Sequence, residues 1–199
     1  MSSYTELDAV NQILAAQGFP PVATVEGDTS KNTQIALNAL RETSRQVQLE
    51  AWTWNTFWDY ALQVESDTGE IPVPDAVIRF LIFEEPWVVP RGPRMYDKSR
   101  QSFVFTQAVK GKAILNLAWE EIPLEAQNYI ALRSARKTYE SFVGADETRQ
   151  NLYVEERESR RALEELEAAE GQHSMLDDPF LPYFRGSEYV PGSPRLPRF

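Results

Sequence analysis

Trp52-Thr53-Trp54-Asn55-Thr56-Phe57-Trp58-Asp59-Tyr60-Ala61-Leu62-Gln63-Val64-Glu65 is the stretch on which the fold turns. Its even positions carry Trp52, Trp54, Trp58, Tyr60, Leu62 and Val64, while Thr53, Asn55, Asp59, Gln63 and Glu65 make the odd positions mostly polar. Neighbouring side chains of an extended chain point to opposite faces, so this alternation predicts a strand with one wet face. The aromatic stripe Trp52, Trp54, Trp58 and Tyr60 then reads as core beneath a sheet rather than as a binding face.

On the N-terminal side of this stretch the period is helical. Leu7, Val10, Ile13 and Leu14 recur at helical spacing after Thr5 and Asp8, which stand as an N-cap and its acidic partner. Gly18, Pro20 and Pro21 stop the pattern, which predicts a first helix at 6–17. A second helix is predicted at 30–50, capped by Asp28, Thr29 or Ser30, with a core stripe of Ala36, Leu40, Val47 and Ala51.

On the C-terminal side, Asp67-Thr68-Gly69 predicts a turn, and the prolines of Ile71-Pro72-Val73-Pro74 keep that segment extended but out of a central sheet position. Val77–Phe83 is an apolar run apart from Arg79. Phe103–Phe105 and Ala113–Trp119 read as further strands, with a turn at Lys110-Gly111-Lys112. Helical spacing returns after Pro123, with Tyr129, Leu132, Ala135, Tyr139, Phe142 and Val143 on one face and Gly144 as the stop. Asp146 caps a fourth helix, predicted at 146–170 and closed by Gly171. Its middle, Glu155 to Arg161, has no apolar residue. Glu156 with Arg160, and Arg161 with Glu165, lie four apart, and such pairs contribute only about 0.2–0.5 kcal/mol each. This helix is therefore expected to be partly solvated or to face another chain.

The fold class that follows is α+β. Residues 1–51 and 120–171 form a four-helix bundle, and 52–119 form an antiparallel β-sheet domain inserted between the second and third helices. Residues 172–199 form an extended tail. Five prolines there forbid a helix, and Phe180, Leu181, Tyr183, Phe184, Tyr189 and Phe199 suit docking on a partner.

With 199 residues, 42% of them hydrophobic and 25% charged, the chain can bury a sizeable core. The net charge of −10 argues against affinity gained by neutralising phosphates. There is no cysteine, which removes disulfides and thiolate metal sites. His173 is the single histidine, and no phosphate loop or nucleophile elbow is present, so no cofactor or metal is expected. No signal peptide is expected from Met1–Thr5, and no apolar run approaches the roughly 20 residues that span a bilayer.

The stretch Ala9-Val10-Asn11-Gln12-Ile13-Leu14-Ala15-Ala16-Gln17-Gly18-Phe19-Pro20-Pro21-Val22, running into Thr24-Val25-Glu26-Gly27-Asp28, resembles the opening of the podovirus tail tubular protein A family, the tail adaptors or gatekeepers of short-tailed bacteriophages. Later landmarks are similar too: Trp52-Thr53-Trp54-Asn55-Thr56, Tyr96-Asp97, Tyr129-Ile130-Ala131 with Ala135-Arg136, and Ser174-Met175-Leu176. The likeness spans about residues 7–176. It departs at Ala51, where the family pattern implies glycine before the tryptophan, and in the proline-rich tail. The resemblance implies a non-enzymatic virion tail protein, assembled in the host cytoplasm. Twelve copies would form a ring between the portal protein and the tail nozzle (tubular protein B) and continue the DNA channel without binding DNA specifically. It also implies that the C-terminal region reaches the portal and the β domain faces the nozzle.

Two sets of residues are candidate partner sites. The first is the tail set just named, toward the portal. The second is the basic set Arg91, Arg94, Lys98, Arg100, Lys110 and Lys112, set against Asp97 alone, toward the nozzle or a neighbouring subunit. Contact with DNA, or plain solvated loop charge, are the other readings of the basic set. Glu84-Glu85 and Glu120-Glu121 keep open a second function, a peptidoglycan-degrading tail enzyme, although sequence neighbours on a strand face opposite ways. A head-completion protein that plugs DNA exit is a third.

Overall fold

A computed structural model describes residues 4–25, 27, 30–142 and 147–177, the last seven by backbone alone. Among the described residues the fold is mixed α+β, with four α-helices and two small antiparallel sheets, and the strands fall between the second and third helices in the chain.

Helix α1 spans Glu6–Ala16. The predicted cap is present in full: the Asp8 N–H donates to Thr5 Oγ1 at 3.1 Å and the Thr5 N–H donates to the Asp8 carboxylate at 2.9 Å. The Thr5 hydroxyl holds the Asp8 carboxyl below the usual carboxylate range. Helix α2 spans Lys31–Gln48 with Ser30 as N-cap; Asp28 and Thr29 lie outside the described residues. Ala51, predicted on its core stripe, lies beyond the helix end, at φ +67° in the left-handed region. Helix α3, Leu124–Phe142, buries Tyr129, Leu132, Ala135 and Tyr139 as predicted, but Phe142 is exposed; Val143, Gly144 and Asp146 lie outside the described residues. Helix α4, Glu147–Asp177, does not stop at Gly171 but passes through it.

Helix α3 packs against each of the other three helices. Their shared core holds Val10, Ile13 and Leu14 of α1, Leu37, Leu40 and Val47 of α2, Tyr129 and Ile130 of α3, and Leu163 of α4, closed by Trp52 and Trp119. The charged middle of α4 does not form the expected intrahelical Glu156–Arg160 pair. Glu156 is buried and its carboxylate accepts from Arg136 of α3. Arg160 donates to Glu50 and to the Tyr129 hydroxyl, each at 3.0 Å, and its ordinary intrahelical partner is Glu164. Buried Leu152, Glu156, Ser159 and Leu163 recur at spacings of four, three and four, so α4 seats an ion pair where an apolar stripe would run. The predicted Arg161–Glu165 pair does form, at 3.3 Å on the exposed side.

The strands are β1 (Thr56–Leu62), β2 (Val77–Leu81), β3 (Val88–Arg91), β4 (Arg94–Asp97) and β5 (Val109–Leu115). They form a three-stranded sheet in the order β1-β5-β2 and a β3-β4 hairpin. A second core joins them: Leu62, Ile71, Phe80, Val88, Met95, Phe105, Val109 and Ala113. Pro72 makes one isolated bridge to Arg94, so the proline segment flanks the hairpin without entering a strand, as its prolines require.

Five expectations for this region change. The strand expected at 113–119 is extended only at its start, since β5 ends at Leu115 and Trp119–Glu121 form a 3-10 turn. The tryptophan stretch is not one strand: Thr53–Asn55 form a 3-10 turn, and β1 is broken by an irregularity between Phe57 and Tyr60, where Asp59 takes φ +55°. The extra residue throws the stripe out of phase, leaving Trp52 in the helical core, Tyr60 against the sheet core, and Trp58 exposed. Lys110-Gly111-Lys112 is not a turn but the middle of the central strand. Gly111 is needed there because a Cβ would press on the Leu81 carbonyl oxygen and reach Phe80 Cζ at 3.0 Å. Phe103–Phe105 is a loop with single bridges, not a strand. The Val77–Phe83 run is edge strand β2 and a following loop, with Phe80 buried but Leu81 and Phe83 exposed.

Two buried amides fasten the points where the chain crosses between helices and sheets. Gln48 donates to the Leu117 carbonyl at 3.2 Å and accepts from the Leu117 N–H at 2.6 Å. Asn55 donates to the carbonyls of Gln48 and Leu115, at 2.7 and 3.0 Å. Each supplies partners that buried backbone would otherwise lack.

Candidate functional site

The outer face of the three-stranded sheet carries an exposed aromatic and cationic patch. Cross-strand partners share a face, so Lys112 of β5 lies beside Leu81 of β2, and Lys110 beside Ala61 of β1. The Asp59 irregularity delivers Trp58 to this patch. Trp58 stacks on Phe83, with ring centres 6.3 Å apart and planes 17° apart. The Lys112 ammonium sits 4.3 Å from the Trp58 ring centre. Trp58 is 44% exposed and Phe83 56%, more than folding of one chain requires.

The hairpin and the segment just after it hold the other four basic residues of the set. Arg91 lies over the Tyr96 ring at 4.7 Å, and Arg94 over the Phe103 ring at 4.4 Å. Arg94 also pairs with Glu70 at 2.6 Å, and Arg100 with Asp97 at 3.5 Å. Asp97 accepts from the Ser99 hydroxyl at 2.6 Å and from the Ser99 and Arg100 N–H groups at 2.8 and 3.1 Å. These bonds, the Ser99 hydroxyl first, hold its carboxyl below the usual carboxylate range. Arg100 and Lys110 line one open cleft of about 560 Å³ between hairpin and sheet, with Trp87 and Glu84. The six predicted basic residues therefore divide. Arg94 and Arg100 are neutralised by their own chain, whereas Arg91, Lys98, Lys110 and Lys112 have no ion pair among the described residues.

Phe180, Leu181, Tyr183, Phe184, Tyr189 and Phe199 lie outside the described residues, as does the His173 side chain. The two carboxylate pairs lie apart. Glu84 and Glu85 line the cleft, while Glu121 caps the 3-10 turn Trp119–Glu121 by accepting from the Ala118 N–H at 3.0 Å. Among the described residues no group of three or more metal-ligating side chains could hold an ion, and no helix is long and apolar enough to cross a membrane.

Sequence reasoning missed the exposure of Trp58, Phe83 and Trp87. The available signal was Glu84-Glu85-Pro86, a polar, strand-breaking segment between two aromatics. Sequence reasoning placed Arg160 beside Glu156 but missed its aromatic contacts, its guanidinium lying 5.5 Å from the Tyr129 ring centre and 6.0 Å from that of Trp52.

No curated protein matches the chain. A family model described as tail tubular protein matches residues 7–173, which takes in α1 to α3, both sheets and most of α4. The chain thus belongs to the tail tubular protein family and is a structural component of the phage tail.

Proposed function

We propose that this protein is a tail adaptor: twelve copies form a ring that joins the portal to the tail nozzle and continues the channel through which DNA leaves. In this reading the four helices are a bundle that forms the ring body. The sheets are an inserted domain turned toward the nozzle, and the C-terminal aromatics reach the portal. The observation that carries it, beside family membership, is the Trp58–Phe83–Lys112 patch on a sheet whose own core is already closed elsewhere. Exposed aromatics flanked by a cation are the kind of side chains a protein partner buries at the centre of an interface. The acidic balance of −10 suits a wall past which DNA slides without being held.

The test is the mass of the purified protein alone and with portal. A twelvefold assembly in the presence of portal is expected, and a protein that stays monomeric with portal would overturn the proposal. Truncation after Asp177 keeps α4 whole and should lower portal loading without lowering thermal stability. Normal loading by that truncation removes the role of the tail. Trp58→Ala should weaken nozzle attachment while leaving the ring intact.

A further inference from the structure

Helix α4 has two unlike flanks. Tyr153 and Ala162 are nine positions apart, about two and a half turns at 3.6 residues per turn, and so face opposite ways. On one flank Tyr153 is 51% exposed, with Val154 beside it and the Arg157 guanidinium 6.0 Å from the Tyr153 ring centre. On the other, Ala162 and Ser159 form one wall of a groove of about 310 Å³, and Leu124, Glu125, Asn128 and Tyr4 form the rest. Leu124 is 58% exposed at the start of α3. Among the described residues Arg157, Glu125 and Glu155 have no ion pair. One flank thus offers an aromatic side chain with an unpaired cation, and the opposite flank offers an apolar groove with an unpaired carboxylate.

We propose that a second copy of this chain occupies the groove. Tyr153 of one copy seats between Leu124 and Ala162 of the next, and Arg157 pairs with Glu125. Because the two halves of the contact lie on opposite sides of one helix, they cannot satisfy each other in a symmetric dimer. They repeat head to tail, the kind of contact that closes into a ring when the rotation per subunit allows. An aromatic anchor in an apolar slot, bordered by complementary charge, is also the usual energetic centre of an interface. This assignment rests on the ring reading above and deepens it by naming the faces that meet.

The absence of cysteine makes the test clean. Tyr153→Cys and Leu124→Cys are prepared singly and together, assembled on portal, and treated with a short bis-maleimide. The double variant is expected to give a ladder of linked species up to ring size. A mixture of the two single variants should give linked dimers and nothing larger. Rings of normal mass that do not cross-link would overturn this contact and leave the ring reading standing, whereas failure of the unmodified chain to assemble at all would overturn both. Linked dimers from Tyr153→Cys alone would show a symmetric contact and refute the head-to-tail arrangement. Cross-linking that appears only after deletion of residues 1–3 would show that the chain's own N-terminus fills the groove, and would also refute the proposal. As an independent arm, Arg157→Glu and Glu125→Arg should each reduce ring yield, and combining them should restore it. Failure of the pair to restore yield would remove the charge contact.

Discussion

Replacing Arg136 by leucine tests how α4 is held on α3. The Glu156 side chain is 11% exposed and that of Arg136 is 18% exposed. Glu156 accepts from Arg136 Nε, and Arg136 also pairs with Glu140 at 3.0 Å. Removing one partner of a buried pair leaves the other charge desolvated and costs about 3–5 kcal/mol. The remaining exposure lets water reach the carboxylate, which brings the expected cost to about 2–3 kcal/mol. For a domain near 200 residues that corresponds to a fall in Tm of about 4–12 °C. Replacing both residues, Arg136→Leu with Glu156→Leu, removes the stranded charge and fills the same space, and should return stability to within about 1 kcal/mol of the parent. The assay is urea denaturation followed by circular dichroism on the parent, both single variants and the double. Equal m-values would confirm that midpoints report stability. A cost below about 1 kcal/mol for Arg136→Leu, or a double variant no better than the worse single, would refute the view that this pair is a buried substitute for apolar packing. The Arg161–Glu165 pair serves as the control. With side chains 81% and 70% exposed, its removal should cost no more than about 0.5 kcal/mol.

Three further outcomes follow from particular residues. Ala51→Gly should stabilise the protein by roughly 0.5–1 kcal/mol, because φ +67° costs an L-residue about 1–2 kcal/mol and glycine gives part of that back as unfolded-chain entropy; a lower Tm in this variant would refute the strain. Gly111→Ala should destabilise by more than about 1–3 kcal/mol, the usual overpacking cost, because the added methyl meets backbone that cannot rotate away; a neutral result by thermal denaturation would mean β2 and β5 can part there. Asp97 has a depressed carboxyl pKa, so the stability it contributes is complete above the unfolded value of about 3.9 and is lost as pH falls through the lower folded value; Ser99→Ala should move the Asp97 midpoint up in a carboxyl NMR titration, and an unchanged midpoint would refute the hydroxyl as the main cause.

The helical part of the fold was legible because its signals are local. Thr5 and Asp8 are three residues apart, Gly18 and the prolines follow directly, and the apolar spacings of α1 to α3 are read within a few turns. The mixed class was legible for the same reason, since the change of period at Trp52 needs no knowledge of partners. The candidate site was legible only as composition. The basic residues between Arg91 and Lys112 could be counted, but not sorted into those paired with Glu70 and Asp97 and those left to a partner.

By itself, then, the sequence determined the Thr5 cap, most of the buried faces of α1 to α3, the mixed class and the family, because each rests on residues near one another in the chain. Tertiary structure alone decided that Trp58 faces out, that Gly111 lies mid-strand against Leu81, and that Glu156 turns inward to Arg136. Each of these depends on an atom contributed from a distant stretch: the register of β5 against a bulged β1, a carbonyl on β2, a guanidinium on α3. One extra residue in a strand reverses which side chains meet solvent, and a carboxylate is buried or exposed according to whether a cation arrives opposite it.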